Sequence, residues 1–158
     1  MKKISDTDLN LLEKESESAL KRRAFRVLHP PEFKGCRIMI NTFQKDSYAC
    51  PHLHEDKEEI FIHLKGKFYI VLFDNSGKIE DVFLFDEKNA KIVEIPKLKY
   101  HTIIPLEKGS SVCEVSVGPH NPDSYKKFAD WASEEGTQRA EEYMKKLFEE
   151  AESFLKTK

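Results

Sequence analysis

With 158 residues, the chain is long enough for one domain with its own core. Charged residues make up 34% of it, yet the net charge is only −2, which excludes the clustered basic surface of a nucleic-acid binder. The longest aliphatic and aromatic run, Phe68 to Phe73, is far too short to span a bilayer as a helix, and no apolar stretch follows the lysines of "MKKISDTDLN" as a signal peptide requires. The expectation is a soluble cytoplasmic protein with neither nucleic-acid nor membrane partners.

Residues 5–22 read as a helix, with Ser5 or Asp6 as cap and Leu9, Leu12 and Ala19 as a loose apolar stripe. The prolines of "HPPEF", residues 29–33, cannot continue it. From Arg37 to Val117 short segments rich in Ile, Val, Phe and Tyr alternate with turn residues: "RIMINTF", "EIFIHLKGKFYIVLFD", "IEDVFLFD", "AKIVEIP", "YHTIIPL" and "SVCEVSV". "DNSG", residues 74–77, is a hairpin turn. This spacing predicts an all-β sandwich or barrel, and the lack of βαβ alternation argues against a nucleotide-binding α/β fold. After "GPHNPD", Ala140, Tyr143, Met144, Leu147, Phe148, Ala151, Phe154 and Leu155 form the apolar stripe of a helix over residues 137–155. It suits packing on the barrel or on a partner subunit. The predicted organisation is an N-terminal helical segment, 1–28, a β-barrel, 29–122, and a C-terminal helical segment, 123–158.

Cys36, Cys50 and Cys113 are widely spaced and form no CxxC pair, so reduced cysteines are expected. The chemistry concentrates in "PHLHEDKEEIFIHLKG", residues 51–66. His52 and His54 are two residues apart, and an extended backbone points both imidazoles the same way, about 6–7 Å apart. Glu59 opens the next strand, and a hairpin between the two would carry its carboxylate across. Imidazole with carboxylate suits Zn, Mn, Fe, Co or Ni. Three donors are a thin set, so a fourth is expected on a neighbouring strand. His101, in "IPKLKYHTII", is the best candidate.

Other residues carry two readings each. Glu114 is charged in an otherwise apolar strand, either turned inward as a proton-transfer group or outward in a salt bridge. Tyr48 and Cys50 share parity with His52, either lining the cavity, with Tyr48 as a second proton-transfer candidate and Cys50 as a substrate contact, or simply buried. Lys57 either meets an anionic substrate at the cavity mouth or is solvated. His63 lies about 13 Å along the strand from Glu59, outside the same ligand set, as a cavity-lining residue or substrate contact. Arg22, Arg23 and Arg26 are a basic cluster for phosphate or for the surface. His29 and His120, beside prolines in loops, read as structural or surface residues.

Two spacings resemble a known family. His52-x-His54, four residues, Glu59, six residues and Gly66 resemble the first cupin motif, and Pro96, four residues and His101 the second. The segments "RRAFRVLH", "PHLHEDKEE", "VLFDNSGKI", "EIPKLKYHT", "EVSVGPHNP" and "FADWASEEG", from Arg22 to Gly136, resemble the WbuC family of cupin-fold metalloproteins. The resemblance implies a small jelly-roll barrel flanked by N- and C-terminal helices. It implies His52, His54, Glu59 and His101 as ligands of one divalent transition metal (Zn, Fe, Mn or Ni). It further implies a place in bacterial surface-polysaccharide (lipopolysaccharide or O-antigen) biosynthesis and, as in many small cupins, a homodimer. Asp46, Leu98 and Pro105 stand where cupins carry glycine, glycine and asparagine; these departures touch turns rather than ligands. The functional expectation is a metal-dependent enzyme, an isomerase, hydrolase or oxygenase, acting on a small polar molecule such as a carbohydrate derivative. The alternatives are a ferrous-iron dioxygenase, a non-catalytic sugar- or small-ligand-binding cupin, and a structural metal site.

Overall fold

The computed structural model describes residues 2–30, 33, 35–117 and 126–158. Helix α1 covers Asp6–Ser18. At its start the Ser5 backbone N–H and hydroxyl both donate to the Asp8 carboxylate, 2.8 and 2.6 Å, satisfying groups a helix end leaves open. The helix stops at Ser18, short of residue 22, because Ala19 is already extended and Arg22 takes a left-handed turn at φ 54°. That turn delivers Arg23–Val27 as strand β1, antiparallel to β2 (Arg37–Phe43). Residues 23–27 therefore belong to a sheet, although they fall in the segment read as helical. "RAFRV" alternates too weakly to announce a strand by itself.

The remaining strands are β3 (His52–Leu53), β4 (Glu59–Lys65), β5 (Phe68–Phe73), β6 (Ile79–Phe85), β7 (Ile92–Ile95), β8 (Tyr100–Pro105), β9 (Ser110–Ser116) and β10 (Lys127–Phe128). Helix α2, Gln138–Lys156, follows. Its cap, Thr137, accepts the Ala140 N–H at 3.2 Å. The strands form two antiparallel sheets, β1-β2-β9-β4-β7 and β10-β3-β8-β5-β6. This is a small jelly-roll barrel with a helix on each outer face. The predicted boundary at residues 122–123 and His120 lie outside the described residues.

Strand parity sorts the side chains. In β5, Phe68 and Ile70 point between the sheets, where they join Phe43, Phe61, Phe85 and Ile103 in the core. Val71 and Phe73 point the other way, onto Leu147 and Ala151 of α2. On the opposite face, Leu9 and Leu12 of α1 cover Ile40 and Cys113. The stripe read from residues 137–155 thus packs on the barrel. Gly66, at φ 78°, makes the β4–β5 turn, and a side chain there would collide with Ser110. The three cysteines are free, Cys36 exposed and the other two buried. No helix among the described residues is long and apolar enough to cross a membrane.

Candidate metal centre

His52 and Glu59 lie on opposite sheets. β3 pairs with β8 and β10, whereas β4 pairs with β7 and β9, so the expected hairpin between them does not form. The Glu59 carboxylate instead reaches the histidines across the barrel interior. His101 faces His52 directly in the β3–β8 register. His54 follows β3, and its carbonyl accepts the Leu98 N–H at 2.7 Å. Leu98 holds a left-handed conformation, φ 62°, at the position where cupins place glycine.

The four side chains are 5%, 2%, 1% and 1% exposed in the order His52, His54, Glu59, His101. One donor atom from each lies within 4.8 Å of the others. Nδ1 of His52 donates to the Cys50 carbonyl and Nδ1 of His101 to the Lys99 carbonyl, both at 3.0 Å. With Nδ1 carrying the proton in each neutral ring, the Nε2 lone pair points into the cluster. His101 Nε2 is 3.1 Å from one Glu59 oxygen, and His54 Nε2 is 3.4 Å from the other. His52 Nε2 is buried with no hydrogen-bond partner among the described residues. Lone pairs facing a carboxylate in a dry interior repel unless a proton or a cation stands between them. A tetrahedral ion with bonds of about 2.1 Å holds its donors about 3.4 Å apart, close to the two spacings from Glu59 to His101 and His54. A buried set of three imidazoles and one carboxylate is consistent with a divalent first-row metal.

Burial pushes the His52 imidazole well below its ordinary pKa, and the nearby Lys126 and His101 charges add to the effect. Burial alone would raise the Glu59 carboxyl, but the His101 and His54 imidazoles beside it outweigh burial and hold the group well below the usual range, an effect that needs a proton or a cation between the rings and the carboxylate. Neutral imidazole and ionised carboxylate are the forms a metal needs.

His52, Glu59 and His101 of the cluster line a cavity of about 200 Å³ between the sheets. Across β2, β9 and β4, Arg37, Ser116 and Glu59 stand in one row, and Met39, Glu114 and Phe61 in the next inward row. Glu114 therefore faces inward, diagonal to Glu59, with Cα atoms about 7–8 Å apart. It is buried, and Asn41 Nδ2 donates to its Oε2 at 3.0 Å.

The other sequence candidates fall elsewhere. The Tyr48 hydroxyl donates to the Ser133 carbonyl at 2.8 Å, and its ring packs edge-on against Tyr143. Burial drives its pKa far up, and it does not line this cavity. Cys50 is buried, and burial likewise raises its thiol; its contribution is backbone, since its carbonyl holds His52 and its N–H donates to Glu135 at 3.0 Å. His63 Nε2 bonds the Gly66 carbonyl at 2.8 Å while its ring meets Phe85 edge-on, which makes it part of the turn. Lys57 is buried at 6% exposure rather than solvated, and is not among the lining residues. Arg22 and Arg26 pair with Asp46 and Glu15, while Arg23 binds Glu135 and the Tyr48 carbonyl.

Sequence reasoning missed Arg37, Asn41, Phe25 and Lys126, all of which line the cavity. "RIMINTF" held a usable signal, because Arg37 and Asn41 share inward parity with Met39 and Phe43. Glu135, which grips Cys50 from 85 residues away, left none.

The chain belongs to the family of a domain of unknown function, DUF6016, whose model matches residues 4–85. That stretch carries His52, His54 and Glu59 but ends before His101. A search of curated proteins finds no match. Among solved structures the chain is similar to KdgF from Halomonas sp., with 19% identity, 64% of this chain and 83% of that chain covered, and a TM-score of 0.51. It is similar to the capsular polysaccharide assembling protein CapF from Staphylococcus aureus, with 18% identity, 66% and 29% coverage and a TM-score of 0.52. Oxalate oxidase in complex with the substrate analogue glycolate matches at 18% identity, 70% and 57% coverage and a TM-score of 0.52. At these identities the likeness is one of fold, the cupin jelly-roll, and the chain spans well under half the length of CapF.

Proposed function

We propose that this DUF6016 protein is a divalent-metal enzyme acting on a small polar molecule, with His52, His54, Glu59 and His101 as ligands and Glu114 as the proton-transfer group. The observation that carries the reading is the convergence of four buried donors, three of which, His52, Glu59 and His101, line a cavity between the sheets. A bound ion would polarise a carbonyl or activate water, and ferrous iron would admit dioxygen chemistry. The chain's own residues do the rest. The Cys50 and Lys99 carbonyls orient two imidazoles, and Asn41 orients Glu114. Phe61, Ile103 and Val112 keep the cavity apolar between the polar groups.

A buried carboxylate on the cavity wall, oriented by Asn41 and close to the cluster, supports an enzyme over a passive binder. The WbuC resemblance, and the role in capsular polysaccharide assembly that CapF's name states, support a carbohydrate derivative of surface-polysaccharide biosynthesis as the substrate. The test is metal content by mass spectrometry on native, untagged protein, with O₂ uptake followed on the same sample. Zinc, manganese or nickel without O₂ uptake supports isomerisation or hydrolysis. Iron with uptake supports the oxygenase alternative. Protein lacking stoichiometric metal, and unable to take it up, refutes the proposal.

A further inference from the structure

The strand that supplies His52 is short. β3 has two residues, and it meets β8 through the single pair His52 and His101. A ligand on so small an element has to be oriented from outside it. His52 Nδ1 donates to the Cys50 carbonyl at 3.0 Å, so the ring follows the peptide that joins Cys50 to Pro51. That peptide has no N–H, because proline supplies its nitrogen, and it cannot be anchored by a donor of its own. The anchoring falls to its neighbours.

The preceding peptide is held at both ends. The Thr102 hydroxyl donates to the Ala49 carbonyl at 2.6 Å, and the Cys50 N–H donates to Glu135 Oε1 at 3.0 Å. On the following side the Ala129 N–H donates to the Pro51 carbonyl at 2.9 Å, and β10 sets Phe128 opposite His52. Glu135 is the charged member of these anchors. The Arg23 guanidinium donates to both of its oxygens, at 3.0 and 2.9 Å, and Lys21 approaches to 2.9 Å. A hydrogen bond to an ionised acceptor is about twice as strong as one between neutral groups. Arg23 also donates to the Tyr48 carbonyl at 2.7 Å, and the Tyr48 hydroxyl to the Ser133 carbonyl at 2.8 Å. Strand β1, residues 48–50 and the stretch ahead of α2 are thereby tied into one closed set of contacts, with Glu135 at its centre. Glu135 itself stands outside the four-residue cluster.

Resting on the metal-centre reading above, we infer that Glu135 is a positioning residue of the metal centre: through the Cys50 backbone it fixes the His52 ring with Nε2 towards the ion, without touching the ion. The test is zinc affinity, measured by competition with a chromophoric chelator, on the parent protein, Glu135→Ala, His52→Gln and the double variant. In the parent background Glu135→Ala is expected to weaken zinc binding about 10–100-fold, the range for groups that orient a ligand. In the His52→Gln background the same change is expected to cost about twofold or less, because the ring it orients is gone. Leu147→Ala, a buried residue of α2 outside these contacts, is the control for lost stability and should keep the parent's affinity. Should Glu135→Ala fail to fold, Glu135→Gln carries the same comparison, its uncharged side chain keeping the shape, with an expected loss of about tenfold, the lower end of that range. Unchanged zinc affinity in the folded Glu135 variant overturns this inference. An equal loss with and without His52, or a matching loss in Leu147→Ala, overturns it as well. A parent protein that binds no zinc removes the metal centre and this inference with it.

Discussion

Replacing His101 by glutamine separates metal binding from packing. In the folded protein His101 Nε2 is 3.1 Å from Glu59, and a glutamine amide can donate to that carboxylate. The amide nitrogen has no lone pair for an ion, so one of four donors is lost while the buried charge keeps a partner. For the parent protein, zinc at a hundred times its Kd stabilises the fold by about 2.7 kcal/mol. In a chain of this length each kcal/mol moves Tm by about 2–4 °C, giving a rise of about 5–11 °C. Removing groups that merely support a ligand costs about 10–100-fold in affinity, so removing a ligand costs at least about 100-fold. The variant at the same zinc concentration then sits near its own Kd and keeps about 0.4 kcal/mol, or about 1–2 °C. The assay is thermal unfolding by calorimetry, with zinc and with chelator. His63→Gln is the control, since His63 bonds Gly66 and lies outside the cluster, and its zinc-induced rise should match the parent's. A folded His101→Gln protein with the full zinc-induced rise would refute the assignment of His101.

Two further outcomes follow from particular contacts. Burial alone would raise the Glu135 carboxyl, but the Arg23 charge and hydrogen bonds from Lys21 and the Cys50 N–H outweigh it and leave the group below its ordinary value of 4.5. Its contribution to stability is therefore fully present above about pH 4.5 and lost as the pH falls through the folded value. Glu135→Gln should lower Tm at pH 7, with a difference from the parent that shrinks towards pH 3; a difference constant with pH would count against the ion-pair account. Leu98→Gly should stabilise the fold by about 0.5–1 kcal/mol, because the left-handed conformation costs a leucine about 1–2 kcal/mol and glycine gives back about 0.5–1 in chain entropy. The check is a higher urea midpoint at unchanged slope. A lower midpoint would mean that Leu98 contributes packing that outweighs its strain.

The sequence by itself determined the strand segments from "RIMINTF" to "SVCEVSV", the amphipathic α2 helix and the identities of the four clustered residues. These are readable because parity, helical period and motif spacing are properties of neighbours along the chain. Strand β1 was not readable, since "RAFRV" takes its register from β2 across the sheet. Only the tertiary structure decided that Glu59 approaches the histidines from the opposite sheet rather than across a hairpin. It also decided which of the two parities faced inward. That turned Glu114 and Arg37 into the cavity, while Tyr48 was held on Ser133 and Lys57 was buried away from the cavity. Parity assigns a side chain to one of two faces, but the inner face is set by which distant strands pair and by where the helices pack. Those choices depend on contacts between residues far apart in the chain, such as Glu135 with Cys50, and no local pattern encodes them.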